Sequence, residues 1–446
     1  MIEKEEIAIA RHGLKLALTY GAQKARLTLS KSLTNLCGML NGELDKVSRS
    51  LDRSLSFNLL VDGRYGAFST NRLDAAALED FIRDSVATVR MLAADPCREL
   101  PDPGRTAKDA QTGRELELFD PAWETLTGEE RLRLAEGSSL YGRRSAWERG
   151  FTLLSEEGEY SDSLFDTLVL DSNGLCARHT ETSFEIGYEL TVADGAGQRY
   201  SAFWWDASPR LAQLRWRDCS ETALQRAAAQ IAPQPHPGGR MPLVVDSECA
   251  SKLLHPLLQA LGGYAVQQKN SFLADKLGEA VFSPQLTLID EPRVAGATGS
   301  RLFDSEGVAT ERRPIIEKGV VKTFFLNSYT ARKLTMAPTV EDAIRPCLQA
   351  FGGCATRSDV LRRMGSGILV TGFNGGNSNA ATGDFSYGIE GFYFADGEIK
   401  FPVREMLVTG NFINLWNQLA VTADDVRPCM THRIPTLAFT DVDFSG

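Results

Sequence analysis

One short run, Ser247-Glu248-Cys249-Ala250-Ser251-Lys252, sets a carboxylate, a thiol, hydroxyls and an ammonium side by side at the start of a stretch that reads as a helix. A helix in such a place is where a zinc peptidase puts two imidazoles on one face to ligate and a glutamate beside them to act as base. Here the glutamate stands alone. Lys252 would bring an ammonium to the cation's place, and the Ser247 hydroxyl is a poor zinc ligand beside imidazole. His255 follows on the same stretch but precedes Pro256, and His12, His179, His236 and His432 are equally isolated, so no pair stands at a metal-ligand spacing.

Three further groups carry possible chemistry. Gly376-Asn377-Ser378-Asn379-Ala380 nearly fits a nucleophile elbow, with Asp396 and His432 following in Ser-acid-His order. An elbow needs strand, turn and helix, whereas Gly383 to Lys400 reads as strands around an Asp396-Gly397 hairpin, so the context opposes it. Asp304-Ser305-Glu306-Gly307 puts two carboxylates on alternate positions, which an extended chain aims to one side as an acid dyad requires; the competing reading is an exposed turn. Tyr329, Arg332 and Lys333 gather a phenol, a guanidinium and an ammonium in one helical turn, either as a clamp for a peptide carboxylate or as solvated side chains. Gly375-Gly376 lacks the Gly-Lys-Ser/Thr of a phosphate loop and reads as a turn.

These groups must be held by a chain of 446 residues with 43% hydrophobic content, long enough for two or three compact units with real cores. Lys and Arg number 48 against 58 Asp and Glu, a net charge of -10 that opposes extended phosphate contact, so nucleic acid is not expected as a partner. The eight cysteines (Cys37, Cys97, Cys176, Cys219, Cys249, Cys347, Cys354, Cys429) show no C-x-x-C spacing and read as free cytosolic thiols. The acidic start Met1-Ile2-Glu3-Lys4-Glu5-Glu6 is not a signal peptide, and no run approaches the ~18 apolar residues of a membrane span, which places the protein in the cytoplasm with no membrane partner.

Periodicity supplies the elements. Ile7 to Leu18 predicts an opening helix, Leu55-Phe57-Leu59 a strand turned by Asp62-Gly63, and Leu78 to Leu92 a helix capped by Asp74. Pro96 to Pro121 reads as linker or surface loop, followed by a helix over about 126–145. Phe184 to Val192 and Tyr200 to Trp204 alternate as a hairpin about Asp194-Gly195, with Leu211 to Ile231 as its helical cover. Pro233, Pro235, Pro237 and Gly238-Gly239 break the chain most sharply, which divides it into an N-terminal domain, 1–235, and a C-terminal domain, 236–446. The fold class is therefore α+β: a hairpin-rich sheet covered by helices, then a β-rich domain opened by Leu243-Val244-Val245 and one helix from about Ser247 to Leu261.

The second half resembles the TldD/PmbA family. The resemblance rests on Phe303-Asp304-Ser305-Glu306-Gly307-Val308 with Thr310-Glu311-Arg312-Arg313, then Ile316-Glu317-Lys318-Gly319-Val320, then Ser328-Tyr329-Thr330-Ala331-Arg332-Lys333-Leu334. Thr382-Gly383-Asp384-Phe385-Ser386, Gly391-Phe392, Asp396-Gly397-Glu398-Ile399, Pro402-Val403 and Thr409-Gly410-Asn411 resemble its second signature stretch, and Val61 to Gly66, Ser69-Thr70-Asn71 and Asp171-Ser172-Asn173-Gly174 extend the likeness into the first half. The resemblance implies a cytoplasmic metalloprotease system of two related subunits, TldD and TldE (PmbA), acting on peptides or unfolded chains. TldD-type chains carry H-E-x-x-x-H; the positions matched to it here are Ser247, Glu248 and Lys252, so the chain looks like the PmbA side. Zinc is then expected in a TldD-like partner and no cofactor in this chain. Glu248, Asp304, Glu306, Gly307, Tyr329, Arg332, Gly383, Asp384 and Ser386 are the candidate contacts for peptide or partner, with no catalytic residue assigned. An extended peptide would add to an edge strand of the C-terminal half. After Leu334 the family's S-T-G-x-A-type loop is replaced by Thr335-Met336-Ala337-Pro338-Thr339-Val340. The alternatives are a self-sufficient hydrolase using Ser378 or Asp304/Glu306, and a non-catalytic homodimeric binding protein.

Overall fold

The computed structural model describes residues 1–141 and 150–446. Its first sheet follows from alternation. In β1 (Lys24–Leu40) Ala25, Leu27 and Leu29 are buried opposite Leu59, Phe57 and Leu55 of β2 (Glu43–Val61), since opposed residues of an antiparallel pair share a face. β3 (Arg64–Thr70) returns after the Asp62-Gly63 turn, and β4 (Thr152–Asp171), β5 (Cys176–Ala193) and β6 (Arg199–Ser208) extend the other side in the antiparallel order β3-β2-β1-β4-β5-β6. Tyr188 stands opposite Trp204, as the hairpin alternation predicts.

Helices cover one face of this sheet. α1 (Lys4–Thr19) and α2 (Ala75–Val89) lay Ala10, Ala17, Leu78, Ile82 and Val86 on Leu27, Leu29, Leu55 and Phe57, and Asp74 caps α2 by accepting from the Ala77 amide at 2.9 Å. Beyond α3 (Ala122–Thr125), α4 (Gly128–Gly137) and α5 (Cys219–Ala228) cover Cys37, Tyr160, Ile186 and Tyr188 on the same side. α4 is shorter than the helix predicted over 126–145, of which 142–145 lie outside the described residues. Leu211 lies in a 3-10 turn before α5, not in the covering helix. The Pro-rich stretch is no free linker: Ala107, Ala110, Leu116 and Leu118 are buried with Val169, Leu175, Ala177, Leu302 and Phe303, so it is wedged between the sheet and the second half of the chain.

From Gly238 the chain forms β7 (Gly238–Val245), α6 (Ser251–Ala260) and α7 (Gly263–Gln267). A small sheet follows, of β8 (Leu288–Asp290), β9 (Arg313–Glu317), β10 (Val320–Val321) and, after α8 (Ser328–Leu334), β11 (Pro346–Leu348). Then come α9 (Arg357–Met364), β12 (Gly367–Ser378), β13 (Asp384–Ala395), β14 (Glu398–Asn411), α10 (Phe412–Asn417), β15 (Leu419–Thr422) and β16 (Leu437–Ser445). Strands β14-β13-β12-β7-β16 close on themselves because β14 also pairs with β16, Leu407 opposite Ser445. The closing pairs span Leu407 to Thr409 of β14 and Asp443 to Ser445 of β16, while β15 in this sheet and β10 and β11 in the small sheet stay terminal strands. α6 buries Leu253, Leu254, Leu257 and Ala260 in one core with Leu243, Val245, Ile368 and Val370. The predicted opening helix is thus present but begins at Ser251, four residues later than read, because Asp246 to Ala250 turn first. α8 contains the helical turn expected at Tyr329 to Lys333, and α9 and α10 have no counterpart in the periodicity; each of the three has a local cap, Asn327 on Thr330, Thr356 on Asp359 and Asn411 on Ile413.

Phe57 is fully buried among helix and sheet side chains, so Phe57→Ala is expected to cost about 3–5 kcal/mol, and Asp74→Ala about 1 kcal/mol, both read from urea unfolding.

Candidate functional site

A cleft of about 950 Å³ opens between β6 and α5 on one side and the turn after β7, with β13 and β14, on the other. The turn is built by Asp246: its amide donates to Val370 O at 2.9 Å, its Oδ1 accepts from the Glu248 amide at 3.0 Å, and its Oδ2 pairs with Arg357. This aims Glu248 at Arg427, whose Nε lies 2.6 Å from Glu248 Oε1, both side chains nearly out of solvent. The Arg427 guanidinium lies 4.0 Å from the centroid of the Trp204 ring and donates to Trp205 O at 2.7 Å; Arg226 stacks on the same indole at 5.1 Å. Burial pushes the Glu248 carboxyl up and Arg427 opposes it. Cys249 beside it is half-buried and desolvation pushes its thiol far up, so it supplies no thiolate. An aromatic wall lined with paired charges can recognise a polar chain; it presents no activated nucleophile.

Of the predicted contacts, Glu248 alone lines this cleft. Ser247 and Glu248 precede α6, and Lys252, within it, points its ammonium at the Tyr387 ring, 5.0 Å away, so the three do not share a helical face. Asp304 and Glu306 are neither an exposed turn nor a free dyad. Asp304 Oδ1 accepts from the amides of Glu306 and Val308 and Oδ2 from that of Glu341, and burial pushes its carboxyl up to about 6. Glu306 Oε2 accepts from the Ser328 amide at 2.8 Å, and Gly307, at φ +80, lies so close to Leu175 that a Cβ would collide with it. Tyr329 and Lys333 do form a carboxylate clamp, but its occupant is Asp95 of the same chain, at 3.1 and 3.2 Å; Arg332 is exposed beside them. Gly383 and Asp384 form the β12–β13 turn, with Asp384 held by Thr382 and Asn411, and Ser386 is exposed on β13. Ser378 sits in strand β12 opposite Phe385, without the helix an elbow needs. The altered loop after Leu334 turns back on the chain: Thr339 Oγ1 accepts from the Leu326 amide and donates to Phe324 O, and Thr339 O accepts from Arg105.

Sequence reading missed one pair outright. His255 and His432, isolated in sequence, meet with Nε2 and Nδ1 3.1 Å apart, beside a second cavity of about 600 Å³. Their separation along the chain is 177 residues, so no spacing rule could find them. Burial lowers both, His432 to about 4. A zinc centre that works on peptides takes three protein ligands and leaves a fourth position open. Among the described residues no three His, Cys, Asp or Glu side chains are grouped to hold an ion, so this donor pair does not fit a catalytic zinc.

The comparisons with known proteins place this architecture among metallopeptidases. Residues 238–446 match the PmbA/TldA metallopeptidase C-terminal domain and residues 26–89 the PmbA/TldA metallopeptidase domain 1. A Bacteroides thetaiotaomicron crystal structure, labelled a modulator of DNA gyrase, is 37% identical with a TM-score of 0.95 and covers 100% of both chains. Metalloprotease PmbA of Escherichia coli is 27% identical over 408 residues, 90% of this chain and 88% of that one. TldE from Thermococcus kodakarensis, 20% identical, shares the fold with a TM-score of 0.84 over 98% of this chain and 100% of that one. The chain belongs to the PmbA/TldD family.

Arg427→Met leaves Glu248 buried without its cation and is expected to cost about 3–5 kcal/mol in urea unfolding, with most of it recovered when Glu248→Leu is added. For His432, folded at about 4 against an ordinary 6.5, the unfolded chain binds a proton that the folded chain refuses between those values. Its contribution is therefore complete above about pH 6.5 and lost as pH falls toward about 4. The unfolding free energy of the wild type minus that of His432→Asn should fall across that window.

Proposed function

We propose that this chain is the zinc-free, PmbA/TldE-like subunit of a two-component cytoplasmic peptidase, offering a surface for peptides or unfolded chains while a TldD-like partner carries the metal. The observation that supports it is the pairing of Glu248 with Arg427. The acid at the position where a metallopeptidase keeps its base is neutralised by a guanidinium, on the wall of a cleft suited to an extended polar chain. Arg226 and the exposed Phe203 line that cleft and would grip backbone and side chains without regard to sequence. A self-sufficient hydrolase is the weaker reading, because the Asp304 and Glu306 carboxylates are committed to backbone amides and Ser378 to a strand.

The test is metal analysis and cleavage of unfolded peptides by the purified chain, alone and with a TldD-type partner. The lone chain should hold no stoichiometric zinc and cleave nothing; the mixture should cleave, with Arg226→Ala raising KM more than it lowers kcat and Ser378→Ala without effect. Stoichiometric zinc with full activity in the lone chain overturns the proposal.

A further inference from the structure

The outer edge of the first sheet runs along the cleft. β6 is the terminal strand beyond β5, and Ser201, Ala202, Phe203 and Trp204 line the cleft. Two side chains cap this edge: Gln230 Nε2 donates to Ser201 O at 2.9 Å, and Arg427 donates to Trp205 O at 2.7 Å. Alternate residues of an antiparallel strand turn their backbone groups to the same side, so the amide and carbonyl of Phe203, between the two capped carbonyls, face outward as well. Among the described residues nothing outside the β5 ladder bonds to either. The caps oppose a through-going strand along this edge and leave the backbone groups of one residue, Phe203, to a ligand.

The charges beside this edge leave one cation over. Of the four cations that line the cleft, Arg427 is taken by Glu248, Arg357 by Asp246 and Lys400 by Glu398. Arg226 has, among the described residues, no carboxylate within ion-pair reach, and its guanidinium lies over the Trp204 ring. Stacking of this kind holds the guanidinium plane and leaves its in-plane donors free for a bidentate acceptor. The acids Glu189, Glu390 and Asp425 line the same walls; Glu390 accepts from Asn374 and Asp425 from the Thr436 amide, and none of the three has a cation within reach among the described residues. They repel a dianion such as phosphate and any acid-rich ligand. The anion that fits is therefore a single carboxylate on an otherwise neutral or basic body. The end of a polypeptide has that chemistry: a carboxylate for the guanidinium fork and, beside it, main-chain groups to pair with those of Phe203.

We propose that the cleft takes the free C-terminus of a peptide, with the α-carboxylate on Arg226 and the backbone of the terminal residue on the amide and carbonyl of Phe203. This rests on the reading of the cleft as a peptide surface and adds the part of the peptide that it holds: the grip ignores side-chain sequence but not the chemistry of the chain end.

The test is binding of an unstructured peptide, labelled at its N-terminus, to the full chain without any partner, read by fluorescence anisotropy for the free-acid and the C-terminally amidated forms. The free acid should bind roughly tenfold or more tightly. Arg226→Gln should remove that difference by weakening the free acid alone, and Arg226→Lys should keep part of it, with unchanged circular dichroism and melting showing that both variants are folded. An amidated peptide carrying one added glutamate should bind no better than the plain amide, and inorganic phosphate should not displace the free acid. Equal affinity of the two forms, or a preference that survives Arg226→Gln, overturns the proposal and leaves the peptide-surface reading standing. Recovery by the glutamate side chain or displacement by phosphate does the same, whereas no binding of either form overturns both.

Discussion

The turn from Asp304 to Val308 is the contact on which the joining of the two halves depends. Asp304 takes the amides of its own turn, which holds Gly307 in a left-handed conformation, and Gly307 then fits against Leu175 because it has no Cβ. From that position Glu306 O accepts from Arg26 of β1 at 3.1 Å and Gly307 O from the Ala107 amide at 3.0 Å, while Glu306 Oε2 fixes the start of α8. α8 in turn presents Tyr329 and Lys333 to Asp95. One turn thereby ties the N-terminal sheet, the Pro-rich loop and the C-terminal half together. A carboxylate satisfied by backbone amides is costly to replace in such a place, because the amides lose their partner when it goes.

This explains why residues that look like chemistry in sequence serve architecture in the folded chain. Paired carboxylates and a Tyr/Arg/Lys turn suggest a dyad and a clamp, and both motifs do engage partners, but the partners belong to the chain. The candidate cleft lies elsewhere, where the turn after β7 meets β6 and α5. There Glu248, Arg427, Arg226 and Trp204 come from segments far apart in sequence and meet because the barrel packs against the end of the first sheet. The aromatic face below the guanidiniums strengthens their placement through cation–π attraction.

Barrel closure is local: β14 pairs with β16 over Leu407 to Thr409, and β15 stays at the margin of that sheet. Among the described residues the N-terminal sheet keeps an edge along the part of β2 that β3 does not reach.

The sequence by itself determined the elements whose period is regular and whose ends carry a local signal. The alternation of Phe184 to Val192, the Asp62-Gly63 turn and the Asp74 cap are properties of neighbouring residues, and the folded chain contains all three. The family blocks around Asp304 and Gly383 were legible for the same reason, since they are contiguous. What the tertiary structure alone decided is every contact made across the chain: His255 with His432, Glu248 with Arg427, Tyr329 with Asp95 and the closure of β14 on β16. Such contacts depend on how sheets and helices stack, which is set by the burial of whole faces and leaves no periodic trace at the residues that meet.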